Sequence, residues 1–127
     1  MQIDQSLTEN AKKAVDFVHS QVKGIKAVVI STEDGFEVAA RVESNALVTR
    51  LSAMSSSLAS LGALAGEESN LGACENLIIE AKFGLLLIFQ IQREQGSLIM
   101  SVVAGRDAIV GQILYFAKQA ARNLQNA

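Results

Sequence analysis

From Leu51 to Gly66 the chain reads LSAMSSSLASLGALAG and carries no charge. Leu47, Leu51, Met54, Leu58, Leu61 and Ala65 recur there at steps of four and three, the spacing of one side of a helix. The opposite stripe, Ser52, Ser56, Ala59, Ala63 and Gly66, is small throughout, where a water-facing helix would carry Lys and Glu. Such a helix is expected to be covered on both sides. Its large stripe would lie on the core of its own domain, and its small stripe would let the backbone of a second chain come close. A fully enclosed helix inside one domain is the alternative, but it has to be fitted into 127 residues.

That length supports one domain, residues 1–127, with a core of its own. Half the residues are hydrophobic, aromatic side chains make up only 5%, and Trp is absent, so stacking platforms for bases or sugars are scarce. The formal charge is −2 with Lys and Arg scattered, which argues against nucleic acid as a partner. The uncharged segment is too short and too rich in Ser for a membrane span, and no membrane insertion is expected. MQIDQSLTEN has no basic start followed by an apolar stretch, so no signal peptide is read and a cytoplasmic location is expected. One cysteine, Cys74, allows neither an internal disulfide nor a thiolate metal cluster.

Along the chain, Ser6 and Glu9 have capping-box spacing ahead of an apolar stripe of Ala11, Ala14, Val15, Val18 and Val22, closed by Gly24. KAVVIST and FEVAARV follow as two strands joined by a Glu33-Asp34-Gly35 hairpin. After the middle helix, which should end near Gly66, come three more strands within ACENLIIEAK, LLLIFQIQ and SLIMSVVA. Asp107 is placed to cap a last helix with Ile109, Ile113, Phe116, Ala117, Ala120 and Leu124 inward. The fold class is α+β, in the order helix, two strands, helix, three strands, helix. Strands apolar on both faces require both to be covered, which a three-layer α/β/α sandwich around a five-stranded antiparallel sheet provides.

Catalytic constellations are thin. His19 is the only histidine and lies beside the apolar stripe of the first helix, where a structural role is the simpler reading. Ser20 and Lys23 match S-x-x-K without its companion motifs. Gly62 and Gly66 are followed by Glu67 where a phosphate-binding lysine would be needed, so no P-loop is present. Cys74 has no evident cationic neighbour to make it reactive, and Arg106-Asp107 reads as a surface Arg before a cap. No catalytic residue, cofactor or metal ligand is assigned, and what remains is a surface for partners.

GIKAVVISTEDGFEVAA, LIIEAKFGLLLIFQI and SLIMSVVAGRDAIVGQILYFAKQAARNL resemble the Roadblock family of dynein light-chain roadblock and MglB-type proteins. With the middle helix they cover nearly the whole chain. The resemblance implies the first and last helices on one face of the sheet and the long helix on the other. It also implies pairing, with itself or a paralogue, through edge-to-edge third strands and neighbouring middle helices. That places Ser52, Ser56, Ala59, Ala63, Cys74, Asn76 and Ile78 in a dimer interface. The resemblance implies no catalytic residue, since members mostly act as platforms, often for Ras-like small GTPases.

The leading expectation is therefore a non-enzymatic dimeric adaptor or regulator of a Ras-like GTPase, with Arg50, Glu67 and Glu68 as polar contacts to that partner. A small-molecule sensory domain of profilin-like or PAS-like type is the alternative, and it needs a polar-lined pocket between sheet and helix. An enzyme of unknown type ranks third, since no nucleophile, base or metal set can be assigned.

Overall fold

A computed structural model describes residues 3–42 and 45–127. Its elements follow the expected order: α1 (Gln5–Gln21), β1 (Ile25–Thr32), β2 (Glu37–Val42), α2 (Asn45–Glu68), β3 (Asn76–Ala81), β4 (Gly84–Ile91), β5 (Leu98–Gly105) and α3 (Val110–Gln125). The five strands form one antiparallel sheet in the order β2-β1-β5-β4-β3. β1 and β5 lie at its middle, and β3 forms an edge whose outer side has no strand beside it.

The β1–β2 hairpin closes as its sequence requires. Gly35 takes a φ of +92°, and the Thr32 N–H donates to the Phe36 carbonyl at 2.8 Å. The two helix starts differ from the sequence expectation. α1 is capped by Asp4, whose Oδ1 accepts from the Leu7 N–H at 2.8 Å, while Ser6 lies inside the first turn. A carboxylate there also meets the positive end of the helix dipole, which favours it over a hydroxyl. At α3 the N-cap is Ile109, with no side-chain hydrogen bond, and Ile109 is 58% exposed. Asp107 instead sits against Gly24 and Gly105, where a Cβ on either would come within 2.9 Å of its Oδ1. α2 runs two residues past Gly66 and ends at Glu68.

Parity along the strands separates two layers. On one face Val28, Ile30, Leu87, Phe89, Met100 and Val102 pack with Ala11, Val15 and Val18 of α1 and Ile113, Ala117, Ala120 and Leu124 of α3. Phe17 and Phe116 meet edge to face at 5.9 Å and close the seam between these helices. On the other face Val29 packs with Val48 and Leu51 of α2, bordered by Ala40, Val42, Leu86 and Val103.

The face by which α2 meets the sheet reverses the sequence expectation. Val48, Leu51, Ser52 and Ser55 are buried, whereas Met54 is 49%, Leu61 61% and Leu64 51% exposed. The small stripe is thus directed at the protein's own sheet, and much of the large stripe points away from it. The strands give the reason. Beneath α2 they carry Ser31 and Ser101 at buried positions, so short side chains on the helix bring its backbone close. Ser101 donates to Ser55 Oγ at 2.5 Å across this contact.

Candidate functional site

The residues assigned to an interface divide into two groups once their surroundings are known. Ser52 is 1% exposed and lies under α2, so it is not a surface residue, contrary to expectation. Ser56 is half-buried, with its hydroxyl donating to the Glu33 carbonyl in the β1–β2 turn. Ala59 is half-buried beside Cys74, Asn76 and Leu77, and Ala63 is half-buried. These four lie on the inner and flanking sides of α2, and Ser52, Ser56 and Ala59 face their own domain.

The second group gathers at the edge of the sheet. The sulfur of Cys74 sits under α2, where a Cβ on Gly62 would approach it to 3.2 Å. Its thiol donates to the Asn76 carbonyl at 3.4 Å. Asn76 opens β3, and Ile78, 41% exposed, stands on the edge strand on the α1/α3 side. β3 is largely uncovered, and beyond it Phe83 is exposed.

The link between α2 and β3 is short and held by backbone. Asn70 adopts a φ of 57°, its N–H donates to the Glu67 carbonyl at 3.0 Å, and the Leu71 N–H donates to the Gly66 carbonyl at 2.9 Å. That pair of bonds is the Schellman arrangement, in which a left-handed residue turns the chain off the helix end. A Cβ on Gly66 would run into the Gly72 carbonyl, so glycine is needed for the returning chain to pass this close.

Arg50 and Glu68 stand in line on the outward face of α2. Their separation of eighteen residues is about five helical turns, roughly 27 Å. Between them on the same face lie Met54, Leu61 and Leu64; the sequence pattern had placed Met54 and Leu61 on the stripe facing the core and Leu64 on neither stripe. Glu67 is exposed but turned about a quarter of the way round the helix. The signal for this face was the line of Ser52, Ser55, Ala59, Gly62 and Gly66, at steps of three and four: its opposite side has to point outward.

The crevice between α2 and the sheet, lined by Ala59, Cys74, Leu77 and Ile88, has a volume of about 10 Å³, room for about one water molecule. Among the described residues no group of three or more His, Cys, Asp or Glu side chains is placed to hold a metal ion, and no helix is long and apolar enough to cross a membrane. His19 is half-buried on α1.

No family model and no curated protein matches the sequence. Solved structures match the fold. A Roadblock/LC7 domain from Streptomyces avermitilis superposes with a TM-score of 0.82 at 20% identity, over 91% of this chain and 94% of that one. MglB from Myxococcus xanthus gives 0.83 at 12% identity, over 99% and 92%. The gliding protein MglB from Thermus thermophilus gives 0.83 at 11% identity, over 97% and 91%. The chain has the Roadblock/LC7 fold.

Proposed function

We propose that the chain is a non-enzymatic, dimeric platform that regulates GTPase signalling by docking a Ras-like small GTPase on α2. The observation that carries this reading is the outward face of α2, where Met54, Leu61 and Leu64 are each about half exposed or more with no charged residue among them. An apolar centre with charges at its ends has the make-up of a protein-binding patch. The likeness in fold to MglB supports the choice of partner class.

Pairing, with itself or a paralogue, follows the open edge of β3. That strand can extend the sheet into a second copy through Asn76–Ala81, bringing Ile78 against its counterpart. The flank of α2 beside the Leu71–Leu77 segment, which includes Ala65, would then approach its own copy across the dyad, leaving the outward face free.

The test is capture with the purified, full chain as bait, loaded against small GTPases in GDP and in non-hydrolysable GTP form. Binding of one nucleotide form is expected, and its slowing by the triple reversal Arg50→Glu, Glu67→Lys, Glu68→Lys would place the contact on α2. Capture of no GTPase in either form would remove this reading. Unchanged kinetics in the triple variant would move the contact elsewhere.

A further inference from the structure

Arg93 lies in the link between β4 and β5, and its Nε is buried without a hydrogen-bond partner. A buried guanidinium nitrogen left unpaired is costly, so it marks a place where an acceptor is wanting. No carboxylate among the described residues supplies one, the single ion pair there being Arg41 with Asp16.

Arg93 lines a cavity of about 460 Å³ together with Asp4, Ser6, Asn10 and Gln95. Small-molecule sites occupy about 300–1,000 Å³. Asp4 borders the same space but makes no ion pair with Arg93. Its Oδ1 caps α1 by accepting from the Leu7 N–H, which leaves Oδ2 for another donor. One positive and one negative group thus stand on one cavity without neutralising each other.

Asn10 also borders a second hollow, of about 290 Å³, between α1 and α3. Its apolar lining is Ala14, Phe17, Ala120 and Leu124, with exposed Lys13 and Asn123 beside them. The shared border sets this hollow next to the charged cavity, so a ligand with a charged head and an apolar side chain can span both.

We propose that the two together take a free α-amino acid with an apolar side chain. Its carboxylate accepts from the Arg93 guanidinium, its ammonium donates to Asp4, and its side chain lies in the hollow between α1 and α3. The charges decide among ligand classes. A phosphate would meet Arg93 but would be repelled by Asp4, and a simple amine would leave Arg93 unpaired. An α-amino acid carries both groups on one carbon and brings a countercharge to each. The site lies between two helices and not between the sheet and α2, which covers the opposite face. It therefore stands apart from GTPase docking, and an occupied cavity leaves α2 free.

The experiment is calorimetric titration and thermal unfolding of the full chain with phenylalanine and leucine as probes. Three analogues separate the contacts: hydrocinnamate lacks the ammonium, phenethylamine lacks the carboxylate, and N-acetylphenylalanine has the uncharged nitrogen of a peptide. At least one of the two amino acids should bind and raise the unfolding temperature. Each analogue should bind about tenfold more weakly than phenylalanine or worse. Arg93→Gln should lower the affinity for the amino acid about tenfold. Asp4→Asn keeps the cap of α1, because Asn caps as well as Asp, and should weaken the amino acid while leaving hydrocinnamate unchanged or improved. No binding of either amino acid at millimolar concentration would overturn the proposal. So would equal binding of hydrocinnamate or N-acetylphenylalanine, which would mean a site for plain acids or for peptides, or an affinity that Asp4→Asn leaves unchanged. The GTPase capture experiment is read on α2, so failure of either test leaves the other standing.

Discussion

On the α1/α3 side the sheet presents Val28, Ile30, Leu87, Met100 and Val102, and the helices answer with Val15, Val18, Ile113 and Leu124. On the α2 side the same strands present Val29, Ser31 and Ser101, and the helix answers with Val48, Leu51, Ser52 and Ser55. The first layer is held by side-chain volume and the second by closeness. Branched side chains fill the space beneath two helices; short ones draw a single helix down onto the strands. The difference teaches how a small domain can attach a helix by its lesser side and leave its larger apolar residues exposed.

The strongest way to break this comparison is to empty the volume-filled layer. Leu87→Ala, at a fully buried position in the α1/α3 layer, should lower unfolding free energy by about 2–5 kcal/mol in urea titration. A smaller loss is expected from Gly66→Ala. The new methyl would meet the Gly72 carbonyl and push the chain off the helix end, at a cost of roughly 1–3 kcal/mol despite the better helix propensity of Ala. The smallest effect separates size from hydrogen bonding among the buried serines. Ser52 Oγ has no hydrogen-bond partner, so Ser52→Ala should be neutral or stabilise by up to about 1 kcal/mol. Ser55→Ala should instead destabilise by about 1 kcal/mol, since it strands the buried Ser101 hydroxyl. Equal losses at the two serines would mean that the layer depends on a hydroxyl network and not on short side chains.

The order of elements, the antiparallel sheet and the hairpin at Gly35 were legible because each rests on a local pattern: alternation, periodicity, or a residue that tolerates positive φ. The direction in which α2 faces was not legible from the helix alone. Both of its stripes have helical spacing, and hydrophobicity by itself favours turning the leucines inward. The deciding residues are Ser31 and Ser101, which lie far away in sequence and become the floor under α2 only after β1 and β5 pair, with Ser101 opposite Val29. The cap at Asp4 was missed for a local reason, since Ser6 offered a competing motif two residues later. The charges at Arg50 and Glu68 were visible from the outset. Their alignment along one face acquires meaning only when the residues between them are known to point outward.

The turn at Asn70 has a mechanical consequence. Because the chain leaves α2 through two backbone hydrogen bonds and passes directly beneath Gly66 and Gly62 into β3, little slack separates the helix end from the edge strand. A load applied to the outside of the helix is therefore delivered to the margin of the sheet. Two surfaces that look separate along the chain are thus joined through one short link, and a protein docked on the first would also steady the second.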